Sequence, residues 1–339
     1  MYARRDETGS SNDSEALWTS PTTVFRSVGG EVAQPALILT DERLHAVWRG
    51  GQNAEIFYSQ AFVKEAFLAT GGWNDAQPLS APGVLASWPD IAADSGGTLH
   101  VVYAVRINEG RGIYYTRSED GVNWSEARQI FDAGGAGWAM SDYPRLAVDT
   151  DGTIHVVWLH TTPLGSGMTV GIYYTHSVDG AETWSEPLEI VEGDYAWPQI
   201  TTNSAGTVQM LWNEATGQRE WWHLFSTDGG LEWTQPERVP GFGNVPGPIG
   251  MLADGSGTAH LVGLGQDNSE EPALIYMTWN GQRWSERESF RLDLVEDEPL
   301  PGVAAAALPA LGRLDAILRG VGIEDEVQRT NLWHAVREI

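Results

Sequence analysis

A short turn sequence recurs along this chain and restricts what it can fold into. Its copies are Ser226-Thr227-Asp228-Gly229-Gly230-Leu231-Glu232-Trp233, Ser177-Val178-Asp179-Gly180-Ala181-Glu182-Thr183-Trp184 and the shorter Ser118-Glu119-Asp120-Gly121-Val122-Asn123-Trp124. Each follows an aromatic strand-like run, such as Ile172-Tyr173-Tyr174-Thr175, and leads into a run that opens with Trp-Ser or Trp-Thr. Ser and Asp side chains accept hydrogen bonds from backbone N–H groups a few residues on, and Gly supplies the positive φ of a tight turn. The pattern is a hairpin turn. Ser118, Asp120, Trp124, Ser177, Asp179, Trp184, Ser226, Asp228 and Trp233 therefore read as structural, because the turn uses up the carboxylates that catalysis would need.

A second repeat lies between the turns. It reads aromatic-Pro, an apolar strand, an Asp/Gly turn, then His-Val-Val-aromatic. It is plain from Trp88-Pro89 to Tyr103, from Tyr143-Pro144 to Trp158 and from Trp197-Pro198 to Trp212. Weaker copies start at Pro35, Pro246 and Pro301, so the prolines recur at steps of 48 to 55 residues. A period near fifty with four strand-like segments per unit signals a propeller rather than a helical solenoid.

The tryptophans after the turns (Trp18, Trp73, Trp124, Trp184, Trp233, Trp284) give a count of six and are expected to open the fourth strand of each blade. Trp18 to Val28 is then a fourth strand without the preceding three. The C-terminus would supply those, near 302–309, 314–319 and 331–337. The expected fold is an all-β, six-bladed β-propeller of four-stranded blades, its ring closed by the N-terminal strand joining the C-terminal blade. Residues 1–15 are polar and expected to be disordered, without the apolar core of a signal peptide; 16–339 form one domain. An insertion from Gln60 to Gly72 carries a candidate helical turn at Phe62–Leu68.

These turns resemble the Asp-box of the sialidase-like (BNR repeat) β-propellers, Ser-x-Asp-x-Gly-x-Thr-Trp. The copy at 226–233 keeps the Gly spacing with Glu232 in place of Thr, and the copy at 177–184 keeps Thr183 with Ala181 in place of Gly. The resemblance implies an extracellular or cell-surface protein with a carbohydrate ligand. A sialidase of this family uses three arginines, a Tyr nucleophile paired with Glu, and an Asp acid/base. The first arginine would lie on the first blade's first strand, which here reads Gln34-Pro35-Ala36-Leu37-Ile38; Arg26 lies upstream in another strand. The nucleophile would lie on Pro301-Gly302-Val303-Ala304-Ala305, which has no Tyr.

Charge and composition narrow the partners. The formal net charge is −26 and Lys64 is the only lysine, so nucleic acid and membrane surfaces are unsuitable partners. No cysteine is present, which excludes disulfides, thiolate zinc sites and cysteine nucleophiles. No run approaches the roughly 20 apolar residues of a membrane span. His45, His100, His155 and His260 recur at one repeat position, and ring-symmetric positions do not converge as metal ligands must. They read as packing residues; no metal and no cofactor are expected.

In propellers of this kind the ligand face is where first strands begin and where second-to-third loops lie. That places Trp88, Asp90, Asp142, Tyr143, Arg145, Trp197 and Gln199 at strand starts, and Arg49, Arg106, His160, Glu214 and Arg319 on loops. Aromatic rings stack on the apolar face of a sugar, and charged groups bond its hydroxyls. Against this, Trp88, Tyr143 and Trp197 recur at one position and suit packing between blades, whereas Asp90, Arg145 and Gln199 differ there. Two readings stand. In one the chain binds, and if an enzyme hydrolyses, a carbohydrate, with Asp90, Asp142 and Glu214 as the carboxylates. In the other it is a non-catalytic protein-interaction or assembly module.

Overall fold

The computed structural model describes residues 32–66, 72–162, 168–217, 219–242, 249–253, 256–267, 269, 272–291, 298–308, 313–324 and 327–338. It divides into two compact units, one ending at Pro144 and one beginning at Arg145. Among the described residues the fold is all-β, a β-propeller of four-stranded antiparallel blades. No helix there is long and apolar enough to cross a membrane.

The first unit holds two complete sheets. One is β1 (Ala33–Thr40), β2 (Arg43–Gly50), β3 (Glu55–Phe62) and β4 (Gln77–Pro78), paired in that order. The other is β5 (Ala86–Ala93), β6 (Leu99–Val105), β7 (Gly112–Ser118) and β8 (Arg128–Asp132). Every residue of β6 is buried, so both faces of that strand are covered and no apolar–polar alternation survives. Val47, Ile56 and Tyr58 of the first sheet share one cluster with Ile91, Val101 and Tyr103 of the second. The core thus lies between consecutive blades, which is how a sheet with two apolar faces escapes water.

The third sheet starts on β9 (Met140–Val148), which runs across the boundary, and continues with β10 (Ile154–Thr161), β11 (Thr169–Ser177) and β12 (Leu188–Glu192). The second unit adds two more. The fourth is β13 (Tyr195–Thr202), β14 (Val208–Glu214), β15 (Trp221–Ser226) and β16 (Glu237–Arg238). The fifth is β17 (Gly250–Ala253), β18 (Ala259–Gln266), β19 (Pro272–Trp279) and β20 (Glu288–Arg291). Leu211, Trp221 and Phe242 pack with Leu261, Ile275 and Met277 in the same between-blade manner.

Among the described residues five blades, not six, have the full four strands. The last sheet has three, β21 (Glu298–Leu308), β22 (Arg313–Glu324) and β23 (Val327–Glu338). The fourth strand expected at Trp18–Val28 lies outside the described residues. The C-terminal hairpin is also longer than its sequence suggests: Arg319, expected on a loop, sits inside β22 opposite Leu332.

The tryptophans do not open the fourth strands either. Trp73, Trp124 and Trp284 form isolated bridges to the third strand, and the fourth strands begin four residues later, at Gln77, Arg128 and Glu288. The residue after each Trp clips the chain in place: Ser125 Oγ accepts the Arg117 N–H at 3.0 Å and Ser185 Oγ accepts the His176 N–H at 3.1 Å. The helical turn expected at Phe62–Leu68 is a single turn, with the Ala66 N–H on the Phe62 carbonyl at 2.8 Å; 67 and 68 lie outside the described residues.

The repeated turns close as their side chains dictate. Ser118, Ser177 and Ser226 each accept one backbone N–H at 2.9 Å, from Gly121, Ala181 and Gly230. Asp120 accepts the N–H groups of Asn123 and Val122, which hold its carboxyl well below the usual range. The Thr183 hydroxyl and N–H bring Asp179 down to about 2, and the Glu232 N–H lowers Asp228.

The recurring histidines bond tyrosines of their own blades. The Nδ1–Oη distance is 2.7 Å for His45–Tyr58, 2.6 Å for His100–Tyr115, 2.7 Å for His155–Tyr174 and 2.7 Å for His260–Tyr276.

Candidate functional site

The aromatic-Pro repeat has an unusual backbone. Gln34, Trp88, Tyr143 and Trp197 all have φ between 51° and 54°, each directly before a proline. Where the register is recorded, the pairing slips at this step: between Ala33 and Ala36, Ser87 and Asp90, and Ala196 and Gln199. Each is a β-bulge. An extra residue in the left-handed region turns one side chain out of the pleat. Non-glycine residues held there store strain, and such strain collects at functional positions.

In the first unit the bulges bring four of the expected residues together. Trp88 stacks on Tyr143 with ring centroids 3.7 Å apart and 27° between planes. The Trp88 N–H donates to Gln34 Oε1 at 2.8 Å. Next to Tyr143, Asp142 is buried and meets Arg106 Nη2 at 2.9 Å through Oδ2, while its Oδ1 accepts the Tyr143 N–H at 3.1 Å. Arg106 is the first residue past β6, at the end of the blade opposite the Asp120 turn. Asp90 stands just beyond its bulge, half-buried, opposite Val102. Arg49, expected on a loop, lies in β2 opposite Ala33 and Ile56.

This blade end also holds unsatisfied polar groups. Ser87 Oγ, Trp88 Nε1, Arg106 Nε and Ser141 Oγ are buried without a hydrogen-bond partner, and Ser87 and Ser141 are only 4% and 0% exposed. Buried polar groups in folded proteins are usually paired, and these four stand among others of the kind, such as Trp212 Nε1 and Asn213 Oδ1. Sequence reasoning passed over Gln34, Ser87 and Ser141. Their signal was position, on or just before the bulge residue.

The second unit holds the remaining candidates. Arg145 sits on β9 two residues past Tyr143, half-buried. His160, expected on a loop, is in β10 opposite Gly171. Its ring is edge-on to Tyr173 at 6.0 Å. Burial lowers the His160 pKa, partly opposed by the Glu189 charge. The Tyr173 hydroxyl donates to Glu189, and burial, then that carboxylate, pushes Tyr173 up to about 12. Glu214 is likewise in a strand, β14, opposite Tyr195, and accepts the Trp222 Nε1–H at 3.3 Å. Burial, then the Glu214 charge, raises the Tyr195 pKa. Trp197 is the bulge residue of β13, and Gln199 follows it opposite Leu211, the place that Asp90 holds on β5. The side chain of Arg319 lies outside the described residues.

The two first strands lack the residues that the sialidase resemblance would place there. β1 reads Ala-Gln-Pro-Ala-Leu-Ile-Leu-Thr, without an arginine. β21 reads Glu-Pro-Leu-Pro-Gly-Val-Ala-Ala-Ala-Ala-Leu, without a tyrosine.

Neither a family model nor a curated protein matches the sequence. Solved structures match it in fold. A protein of unknown function from Dyadobacter fermentans is 14% identical, with 94% of this chain and 98% of that chain covered and a TM-score of 0.66. An ulvan lyase is 10% identical, with 90% and 82% covered and a TM-score of 0.58. The leech intramolecular trans-sialidase is 10% identical, with 94% and 70% covered and a TM-score of 0.58. At the level of fold, then, this chain is a propeller similar to those of sialidases and of a polysaccharide lyase.

Proposed function

We propose that this chain is a carbohydrate-binding propeller whose ligand sits at the blade end formed by Trp88, Arg106, Asp142 and Tyr143. The carrying observation is the stacked Trp88–Tyr143 pair beside the Arg106–Asp142 ion pair, 3.7 Å and 2.9 Å apart respectively. Rings flanked by charged hydrogen-bonding groups suit a sugar, which has an apolar face and a polar rim. The fold neighbours act on sugars: ulvan in one case, sialic acid in the other. The repeated Ser-x-Asp turns, taken as Asp-boxes, agree with the same family.

Binding fits the geometry better than hydrolysis. A general acid needs a proton and room to deliver it. Both oxygens of Asp142 are engaged, one by a guanidinium and one by a backbone N–H. Separating Arg106 from that buried carboxylate costs about 3–5 kcal/mol. A glycan-binding screen run beside a panel of aryl glycosides, one a sialoside, tests this. We expect binding without turnover, weakened at least about tenfold by Trp88→Ala. Turnover of the sialoside overturns the non-catalytic reading.

A second reading has its own observation. Val178 and Leu231, on the turns at the other blade ends, are 74% and 68% exposed. Apolar side chains standing that far into water suit a protein partner. If no glycan binds, and Val178→Ser with Leu231→Ser abolishes capture of a defined partner, this reading replaces the first.

A further inference from the structure

We propose that Asn280 is a self-deamidating residue, converted by its own turn into the aspartate that the other turns hold at this place. Asn280-Gly281 is the one Asn-Gly step in the sequence. It lies between β19 and β20, in the turn closed by the Trp279–Trp284 bridge, as Asp120 lies in the turn closed by Ser118–Trp124. Both residues stand four places before the tryptophan. Asn280 Oδ1 accepts the N–H groups of Gln282 at 3.1 Å and Arg283 at 3.0 Å. Asp120 Oδ1 accepts at the same two offsets, from Val122 at 2.8 Å and Asn123 at 2.7 Å. The fifth blade thus closes with an amide where the second closes with a carboxylate, and a neutral acceptor draws an N–H less strongly.

The same two bonds favour the loss of that amide. Deamidation begins when the Gly281 backbone nitrogen, giving up its proton, adds to Asn280 Cγ and puts negative charge on Oδ1. Two backbone N–H groups already meet that oxygen, as the donors of an oxyanion hole do. The hydrogen-bonded loop from Oδ1 to the Gln282 N–H contains the Gly281 nitrogen, so the side-chain carbonyl is folded back over the atom that attacks it. The Cγ–Nδ2 bond then breaks and ammonia leaves with the proton. Water opens the resulting succinimide to aspartate or isoaspartate, with no change of oxidation state. Access is open: a Cβ at Gly281 would meet nothing within 4 Å, and residues 280–283 are exposed. The turn also selects the product. Aspartate keeps the acceptor in place and adds charge to both bonds, the arrangement of Asp120, whereas isoaspartate lengthens the main chain by a methylene inside a closed turn. Asn203 serves as the internal control. Its Oδ1 accepts the N–H groups of Ala205 at 3.0 Å and Thr207 at 2.9 Å, but it is 7% exposed and serine follows it.

The test is mass-spectrometric peptide mapping of the full chain during incubation in buffer, beside the same chain unfolded in urea. Asn280 should convert about tenfold faster in the folded chain, less than a water-excluded oxyanion hole provides because this turn is wet. Aspartate should exceed isoaspartate in the folded chain, and Asn203 should stay an amide. Asn280→Asp should melt no lower than the parent. Conversion at Asn280 that is absent, or slower in the folded chain than in urea, overturns the proposal. So does isoaspartate as the main product of the folded chain, or an Asn280→Asp chain that melts below the parent.

Discussion

His223 Nε2 lies 3.2 Å from Gln209 Oε1, and this pair inverts the arrangement of the other blades. Elsewhere the histidine stands on the second strand and bonds a tyrosine two residues before its cross-strand partner, as His155 does with Tyr174. In the fourth sheet Gln209 takes the histidine place and His223 the tyrosine place. Burial drives His223 down to about 3, so the ring is neutral. The Gln209 carbonyl oxygen is an acceptor, so the proton sits on Nε2. Trp279 and Trp284 close over the ring edge-on at 4.9 Å and 5.0 Å.

These histidines make the fold acid-sensitive. Burial, then the Arg43 charge, lowers His45 to about 4; burial lowers His100, partly opposed by Asp94. Their folded values lie below the unfolded value near 6.5, so the unfolded chain takes up protons that the folded one refuses. Stability should fall as pH drops from about 6.5 towards about 4 and 3, on the order of 3 kcal/mol from His45 alone. The Asp179 carboxyl is shifted in the same direction, so its contribution too is lost on acidification, but only below its unfolded range, towards about 2. Urea melts at a series of pH values measure this, and His223→Gln should flatten the upper window.

Two adjacent glycines should respond differently to the same change. A Cβ on Gly229 (φ 76°) meets nothing within 4 Å. One on Gly230 (φ 86°) falls on the Tyr174 hydroxyl. Gly229→Ala should cost about 1–2 kcal/mol, the left-handed backbone alone. Gly230→Ala should cost clearly more, and equal losses in a denaturant titration would show that the tyrosine yields freely.

Tyr174→Phe isolates one hydrogen bond. It leaves His155 Nδ1 buried without its 2.7 Å partner while the ring still packs edge-on against Trp233 at 5.0 Å. The expected loss is about 1–3 kcal/mol in chemical denaturation. The corresponding change at Tyr115 should cost a similar amount.

In the Arg106–Asp142 pair the carboxylate is buried and the guanidinium is 32% exposed. Arg106→Ala takes the guanidinium from a buried carboxylate and should destabilise the chain more than replacing both partners by apolar residues of similar volume. A double-mutant cycle followed by thermal melting reads the difference.

Much of the fold was legible because turn chemistry is local. Ser118, Asp120 and Gly121 name each other's partners within four residues, so the hairpin could be read directly. The start of the fourth strand could not. Trp124 looks like a strand opener, but it only bridges Ser118, and pairing resumes at Arg128. Loop lengths were hidden for a similar reason: nothing in His160 or Arg319 marks where a ladder stops. The site was half legible. Trp88 and Tyr143 stood out by repetition, but their stacking and the capture of Asp142 by Arg106 depend on neighbours about fifty and thirty-six residues away, which no local pattern encodes.

The bulges before the prolines carry a further consequence. Along a strand each side chain is committed to one face, so changing it disturbs a core. The inserted residue is released from that commitment. Four blades hold Gln34, Trp88, Tyr143 and Trp197 there on the same backbone, an amide, two indoles and a phenol at one φ. The scaffold thus offers a position in each of these blades where chemistry can be exchanged without refolding the sheet, so new recognition can evolve here while the interior stays as it is.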